Sequence, residues 1–279
     1  MPDNKKEELA LNNEQEEHYS PGYGTELVQS YQRRTVAQEA AFFSPYLHSG
    51  MTLIDCGCGP GTITEGLAKL IEPGSVVGID IERSQIEIAQ KHLLEQGISN
   101  IQFKVANIYE LPFPEASFDS AFVHAVLQHL QNPLKALREI NRVLRPGGLI
   151  GVRDDDQGGL ILAPDNPKME KLIDLLKKFM RHNGGNPFVG RHHRELLRQA
   201  GFINIEATAS CEYDGKIETT VKRGKLAAKL VDHMAETAIR LGWADINEMK
   251  DLSVTAIEWG EHLDAFDAII WCEAVGWKV

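Results

Sequence analysis

The stretch Leu53-Ile54-Asp55-Cys56-Gly57-Cys58-Gly59-Pro60-Gly61 decides how this chain folds. It joins an apolar run that ends in an acid to three glycines at alternate positions, and an apolar-periodic stretch follows from residue 62. This order is typical of a β-strand, a tight loop and an amphipathic α-helix. Because glycine has no Cβ, the backbone of such a loop can approach a ligand closely and turn its N–H groups toward it. We therefore predict a ligand-binding strand–loop–helix unit, and call residues 55–61 the glycine loop.

Composition and charge narrow the class of protein. The chain has 279 residues, of which 43% are hydrophobic and 25% are charged, as in ordinary soluble domains. Its net charge of −11 argues against binding nucleic acid, because that requires basic side chains at the phosphates. The four cysteines, Cys56, Cys58, Cys211 and Cys272, lack the spacing of a metal site or a disulfide framework. We expect a cytoplasmic protein with no metal, no membrane and no nucleic-acid partner; a homodimer is allowed for.

Strand and helix patterns alternate from residue 51 to residue 153. The predicted strands cover residues 51–55, 75–80, 101–106, 118–123 and 149–153, and the predicted helices cover 62–72, 83–96 and 132–144. Strands that alternate with helices in this way predict βαβ units and a parallel sheet.

The pattern changes on either side of this region. Residues 1–48 are predicted to be a tail and a lid: a polar segment at 1–17, an aromatic turn at 18–24 and a helix over about 25–44 that ends before Pro45. After residue 154 the predicted helices cover 166–182, 190–200 and 219–262, the last broken near Gly242, and the predicted strands cover 202–211 and 268–277. Residues 49–279 are thus expected to form one domain with helical insertions at about 160–200 and 219–262.

A second acid completes the candidate nucleotide site. Asp80 ends the second predicted strand, 19 residues beyond the last glycine of the loop, where it can accept hydrogen bonds from both hydroxyls of a ribose. Ligands bind at the carboxyl ends of the strands in such sheets. The Gly-x-Gly-x-Gly spacing differs from the Gly-x-Gly-x-x-Gly spacing of dinucleotide sites, and no Tyr-x-x-x-Lys pair accompanies it, which disfavours a nicotinamide-dependent oxidoreductase.

Several ordered motifs carry a resemblance to a known family. They lie at residues 53–61, 76–80, 106–108, 111–113, 117–119, 129–130, 133 and 142–148. Together they resemble the class I S-adenosylmethionine-dependent methyltransferases, in particular the branch with the ubiquinone/menaquinone-biosynthesis C-methyltransferases. The resemblance spans about residues 20–155. It implies an α/β fold: a Rossmann-like, mostly parallel seven-stranded sheet with helices on both faces, an N-terminal lid and inserted helices that form a cap.

The resemblance also assigns residues to the methionine end of S-adenosylmethionine. It implies that Asp55 and the backbone at Gly57 and Gly59 hold this end of the cofactor. The backbone at His124, which ends the fourth predicted strand, is implied to pass the same moiety. Tyr23 resembles the aromatic residues of a lid that closes over the cofactor, as does Tyr19, although packing or turn roles are equally compatible with both.

The adenosine end is assigned in the same way. Asp80 is implied to hold the ribose, Gln85 to touch its edge and Ile81 to pack on the adenine. Ile108 would offer a backbone N–H to the adenine. Asn107 stands where the family usually has an aspartate, and its amide oxygen can accept the hydrogen bond of the adenine amino group without the charge.

The acceptor side is less defined by the sequence. His129 follows the fourth predicted strand and is the candidate general base, although a structural role fits it equally. Arg33 and Arg34 could reach a carboxylate, but a solvated helix face is the alternative. We expect methyl transfer to a small-molecule acceptor by in-line displacement, with S-adenosylhomocysteine as the product. The alternatives are a protein that binds S-adenosylmethionine without transfer, or a methyltransferase that acts on a protein.

Overall fold

The computed structural model describes residues 19–279. The predicted tail at residues 1–17 and the first residue of the aromatic turn therefore lie outside the described residues. Within residues 19–279 no helix has the length and apolar character needed to cross a bilayer.

One seven-stranded sheet organises the described chain, in the order β3-β2-β1-β4-β5-β7-β6. The strands are β1 (Thr52–Cys56), β2 (Ser75–Asp80), β3 (Ile101–Val105), β4 (Phe118–His124), β5 (Leu144–Ala163), β6 (Phe202–Asp214) and β7 (Phe266–Lys278). Strands β1 to β5 pair in parallel, whereas β7 runs antiparallel to both β5 and β6. The predicted mostly parallel, seven-stranded α/β sheet is confirmed.

The helices are α1 (Thr25–Tyr31), α2 (Val36–Glu39), α3 (Thr62–Leu70), α4 (Arg83–Gln96), α5 (Pro133–Val143), α6 (Pro167–His182), α7 (His193–Gln199), α8 (Ile217–Arg240) and α9 (Ile246–Glu261). Single 3₁₀ turns occupy Ser44–Tyr46, Leu127–His129 and Gly190–His192. Sequence signals set several of these boundaries: Asn132 caps α5 by accepting from the N–H of Lys135, and Asn166 and Asp245 cap α6 and α9 in the same way.

Apolar side chains cover both faces of the sheet. On one face Ile54, Val123 and Val152 pack with α5, and on the other Leu53 and Phe122 pack with α3 and with the segment after α2. Each fully buried side chain of this size contributes about 1.5–3 kcal/mol, so this two-sided burial holds the strand ends in register. Helices α6, α8 and α9 share a separate apolar core.

The prediction of one lid helix over residues 25–44 is wrong. Helix α1 ends at Tyr31, Thr35 is extended with φ −130° and ψ 151°, and α2 begins at Val36. The chain turns here because α2 packs directly on α3: a Cβ built at Gly66 would lie 2.6 Å from the Val36 side chain. Because this contact joins helices that are distant in sequence, no local periodicity in the sequence indicates the break.

The predicted fifth strand at 149–153 is too short, since β5 extends to Ala163. The sequence Asp154-Asp155-Asp156 has no strand character, yet these residues pair with β7 opposite Cys272, Trp271 and Ile270. Their carboxylates find partners from elsewhere: His193 at 2.9 Å from Asp154, and Arg191 at 2.5 Å from Asp156. Tertiary partners here override the local preference.

Candidate functional site

A cavity opens above the carboxyl ends of β1, β2 and β4. It measures about 1150 Å³ when the open solvent at its mouth is included. The structure brings all the predicted site residues to its wall: Tyr23, Asp55, Gly57, Gly59, Asp80, Ile81, Gln85, Asn107, Ile108, His124 and His129. These residues come from five separate segments of the sequence, and the parallel sheet explains why they meet, because it places its strand ends at one edge.

The glycine loop has a backbone that other residues adopt only with strain. Gly57, Gly59 and Gly61 have φ values of +79°, +51° and +84°. A Cβ at Gly57 would lie 2.3 Å from the side chain of Val126. The N–H of Gly57 donates to the carbonyl of Ile79 at 2.8 Å, and the N–H of Gly59 donates to Asp80 at 2.9 Å. These two N–H groups therefore face the protein rather than a ligand, which corrects the expectation, and the loop offers the cavity its close-lying backbone.

Asp55 is the buried acid at the end of β1, and it is 3% exposed. Its Oδ2 accepts a hydrogen bond from the hydroxyl of Thr64 at 2.6 Å. Burial raises the pKa of Asp55 to about 7, and the neighbouring charge of Asp80 adds to the increase. The wall of the cavity thus contains a carboxyl group that lacks a cationic partner among the described residues and would be stabilised as an anion by a cationic ligand.

Asp80 faces the same space from the end of β2. Its Oδ2 accepts from Gly59 N–H and its Oδ1 accepts from Glu82 N–H, both at 2.9 Å. The backbone N–H of Ile81 also interacts with this carboxylate, which has about four acceptor positions, so part of its acceptor capacity remains for a ligand. Burial raises the pKa of Asp80, although these N–H bonds oppose the shift.

The far end of the cavity has both apolar and polar surface. Ile81 is 54% exposed, which is unusual for an isoleucine, and it lies next to Asp80 at the wall. Gln85 is buried, and its Oε1 has no hydrogen-bond partner within residues 19–279. Asn107 Oδ1 accepts the backbone N–H of Tyr109 at 2.9 Å, which leaves one of its lone pairs available.

His124 and His129 form the opposite wall. The ring of His124 packs 5.1 Å from that of Trp271, and its Nε2 lies 3.7 Å from Glu39. Burial lowers the pKa of His124, and the charges of Arg34 and Arg153 lower it further. Burial likewise lowers the pKa of His129 to about 3, with a smaller effect from Arg34. Both imidazoles are therefore neutral at physiological pH.

An aromatic group covers this wall from the N-terminal segment. The ring of Tyr19 packs edge-on to His129 at 4.6 Å between centroids and lies 5.1 Å from the ring of Tyr23. The hydroxyls of Tyr19 and Tyr31 form a hydrogen bond. Tyr19, Tyr23 and Tyr31 thus line the cavity from the N-terminal side, and a lid role for them stays a prediction.

Comparison with known proteins assigns the chain to a family. A sequence model of the methyltransferase domain matches residues 47–210. An uncharacterised methyltransferase of Schizosaccharomyces pombe is 31% identical over 216 residues, which cover 74% of this chain and 77% of the relative. The chain belongs to the methyltransferase family. This membership confirms the predicted class I S-adenosylmethionine-dependent methyltransferase.

Two further proteins extend the similarity over most of the methyltransferase. A probable methyltransferase of Aspergillus luteorubrus, ltbC, is 28% identical over 288 residues, covering 95% of this chain and 98% of the relative. The solved structure of a putative methyltransferase from Bacillus halodurans has a TM-score of 0.59 at 14% identity and covers 87% of this chain and 100% of its own. At that identity the solved structure supports the fold alone.

The sequence analysis missed a set of buried charged residues that adjoins His124 at the wall of the methyltransferase cavity. Arg153 is buried and pairs with Glu39 from α2 and with Glu273 from β7, the latter at 3.3 Å. Ser210 and Thr208 donate to Glu273 at 2.6 and 3.0 Å. The partners of Arg153 are 114 and 120 residues away in sequence, so no local pattern could indicate them.

The two adjacent arginines of the lid are separated by the structure. Arg34 lines the cavity, whereas Arg33 is exposed outside it. The sequence alone could not choose between them, because the break after α1 decides which side chain turns inward. Within residues 19–279 no three His, Cys, Asp or Glu side chains are grouped so that they could hold a metal ion.

Proposed function

We propose that this methyltransferase transfers a methyl group from S-adenosylmethionine to a small molecule bound beside it in the same cavity. The supporting observation is that a single cavity is lined by acidic residues at one end and by a histidine and aromatic residues at the other. Asp55, Asp80 and the glycine loop form a nucleotide-sized end, and His129 with the lid aromatics forms a second end. A concave cavity lined by aromatic and apolar side chains suits a small acceptor better than a protein surface.

The residues present fit the adenosine part of the cofactor. The acceptor capacity that remains on Asp80 can receive the hydroxyls of a ribose. The Oε1 of Gln85, which has no partner within the described residues, can accept a further hydrogen bond. The exposed Ile81 offers an apolar face to the adenine, and Asn107 and Ile108 lie at the same end. An orphaned buried amide oxygen costs about 1–3 kcal/mol, so a ligand that satisfies Gln85 would recover that cost.

The methionine part carries an ammonium group, which suits the buried carboxyl of Asp55. Because burial raises the pKa of Asp55 to about 7, this group is partly uncharged in the free protein near neutral pH. An ammonium group beside it favours the carboxylate. Gly57, which brings its backbone to the cavity without a side chain, and the backbone at His124 would flank the same moiety.

When bound, the cofactor supplies a methyl group on a positively charged sulfur, so the leaving group is activated before the protein acts. The chain itself must align the acceptor with the methyl–sulfur axis and exclude water. Such alignment contributes about 7–11 kcal/mol to lowering a reaction barrier. Tyr19 and Tyr23 cover the cavity, and His129 borders the acceptor end. A general-base role for His129 stays a prediction, and a pKa of about 3 makes it a weak base at neutral pH.

The donor site is tested by calorimetry with S-adenosylhomocysteine. We expect one binding site per chain, and at least a tenfold weaker affinity for Asp80→Ala because the ribose loses its acceptors. Asp165→Ala is the matched control, since Asp165 is an exposed carboxylate outside the cavity. Circular dichroism would verify that each variant is folded. Equal affinities of the Asp80 variant and wild type, or no binding to wild type, would contradict the proposal.

The acceptor class is tested with S-adenosylmethionine that carries a labelled methyl group. The protein is incubated with a metabolite extract separated by filtration into a small-molecule fraction and a protein fraction. We expect label in the small-molecule fraction alone. Label confined to the protein fraction would identify a protein methyltransferase, and binding with no labelled product in either fraction would favour a protein that binds the cofactor without transfer.

A further inference from the structure

We propose that the acceptor binds through an anionic oxygen group, a phenolate or a carboxylate, held by the guanidinium of Arg34 and the Nδ1–H of His129. This inference rests on the proposed function, because it concerns the second end of the same cavity. Two independent sets of contacts carry it, one around each side chain.

Arg34 is a cation at the cavity wall that forms no salt bridge within residues 19–279, although its charge opposes the raised pKa that burial gives Glu39. Its guanidinium lies 4.4 Å from the centroid of the Tyr31 ring, and its side chain is half-buried at the cavity wall. Within residues 19–279 no carboxylate lies within salt-bridge distance of it, whereas the buried Arg153 has two carboxylate partners. A half-buried guanidinium that stacks on a ring keeps its hydrogen-bond donors for a ligand.

The charge of Arg34 acts at the acceptor end. It contributes to the lowered pKa values of both His129 and His124, so both imidazoles lie within its field. Asp55 and Asp80, by contrast, give the other end of the cavity a negative potential. Glu39, beside His124, and Asp155, beside Gln128, are acids on this side of the cavity. An anionic acceptor is therefore favoured here by the donors of Arg34 and His129 that lack a partner within the described residues, and not by the net charge.

A hydrogen-bond chain assigns the tautomer of His129. The amide nitrogen of Gln128 lies 3.3 Å from His129 Nε2, and the side chain of Gln128 also interacts with the carboxylate of Asp155. Burial raises the pKa of Asp155 to about 6, so it remains an anion and an acceptor at neutral pH. The amide must then turn its NH₂ toward Asp155 and toward Nε2, because its oxygen would be repelled by the carboxylate.

This orientation leaves His129 with a single N–H donor, at Nδ1. Nε2 accepts from Gln128, and the single proton of the neutral ring therefore sits on Nδ1. Nδ1 is buried and has no hydrogen-bond partner within the described residues. A buried N–H left without a partner is costly, and an oxygen anion of the acceptor would satisfy it.

An anionic acceptor also removes the need for a strong base. The oxygen loses its proton to solvent before it binds, and Arg34 favours that ionised form. In the transfer an oxygen–carbon bond forms and the methyl–sulfur bond breaks, with its electron pair staying on sulfur. The negative oxygen and the positive sulfur are neutralised together, so no proton, oxidant or reductant is required. The weak basicity of His129 is then no obstacle.

The first test uses benzoate and benzamide, which share a shape and differ in charge, titrated by calorimetry into protein saturated with S-adenosylhomocysteine. We expect benzoate to bind at least tenfold more tightly than benzamide. Arg34→Gln should lose about tenfold to a hundredfold in benzoate affinity, and Arg34→Lys should lose less, because a charged hydrogen bond is at stake. Arg33→Gln is the matched control, since the neighbouring arginine is exposed and lies outside the cavity.

The second test separates donor from base at residue 129. His129→Asn places an amide N–H near the position of Nδ1 but has no basic nitrogen, whereas His129→Leu has neither. We expect the Asn variant to keep benzoate affinity within about threefold of wild type, since a neutral hydrogen bond is retained, and the Leu variant to lose about tenfold. Replacing benzoate by 4-nitrophenolate distinguishes a phenolate site from a carboxylate site.

The outcomes distinguish a failure of the proposed donor site from a failure of the proposed anionic acceptor. If S-adenosylhomocysteine fails to bind wild type, the proposed function itself is overturned. If it binds but benzoate and benzamide bind equally, or neither binds, or Arg34→Gln matches wild type, only the anionic acceptor is overturned. A loss of benzoate affinity in His129→Asn as large as in His129→Leu would overturn the donor role of His129.

Discussion

The buried carboxyl of Asp55 predicts an unusual dependence of stability on pH. An aspartate in an unfolded chain has a pKa of about 3.9, whereas burial holds the pKa of Asp55 in the folded protein at about 7. Between these values the folded state binds the proton and the unfolded state does not. Asp55 therefore lowers the free energy of unfolding progressively as pH rises from about 4 to about 7, with no further loss above that window.

The size of the effect follows from the same two pKa values. Three pKa units correspond to about 4 kcal/mol, and the part lost between about pH 5 and about pH 8 is about 3 kcal/mol. Asp55→Asn removes this titration while keeping a side-chain oxygen that can accept the Thr64 hydroxyl. We therefore expect the variant to gain stability relative to wild type as pH rises, by about 3 kcal/mol over this range.

Urea unfolding at several pH values, followed by tryptophan fluorescence, measures this difference. Comparing the two proteins at each pH cancels the titration of every other group, because only residue 55 differs. Parallel stability curves for wild type and Asp55→Asn would refute the reasoning. So would a relative gain of the variant on acidification, because that sign requires a lowered pKa.

Two other substitutions follow from the same contacts. Gly57→Ala should lower the free energy of unfolding by about 2–4 kcal/mol, because the new Cβ would lie 2.3 Å from a valine methyl and the residue would have a left-handed backbone. Gly97→Ala, also left-handed but in open space, should lower it by about 1 kcal/mol. Equal urea midpoints for the two variants would contradict this. Glu39→Gln should lower the free energy of unfolding by about 3 kcal/mol, because the buried Arg153 loses one of its counter-ions. Glu248→Gln, at an exposed ion pair, should lower it by less than about 1 kcal/mol. Equal melting temperatures of the two variants would contradict this prediction.

The donor end of the cavity was largely predictable from the sequence. Asp55, Gly57 and Asp80 lie within 26 consecutive residues, and their strand–loop–helix context is encoded locally. In a parallel sheet, strand ends meet at one edge, so two adjacent strands are enough to bring the acids together. What the sequence could not provide is the direction of the loop N–H groups, because this depends on the carbonyl of Ile79 in the neighbouring strand.

The acceptor end depends on contacts between distant segments and was predicted less well. Nothing near Arg34 in the sequence indicates that it, rather than Arg33, reaches the cavity; the break between α1 and α2 decides this. The hydrogen-bond chain from His129 through Gln128 to Asp155 joins β5 to a 3₁₀ turn, and the three acids of β5 look like a loop in isolation. A local sequence pattern indicates the secondary structure that a residue favours, but not the distant residue with which it forms a hydrogen bond or an ion pair.

The central claim is that the glycine loop and Asp80 hold the methyl donor. A crystal structure of the protein grown with S-adenosylhomocysteine tests it most directly. The account predicts electron density along this cavity, with the ribose hydroxyls on Asp80, the ammonium group beside Asp55 and the sulfur facing His129. Density for the ligand at another place, or an empty cavity in crystals grown with saturating ligand, would contradict it.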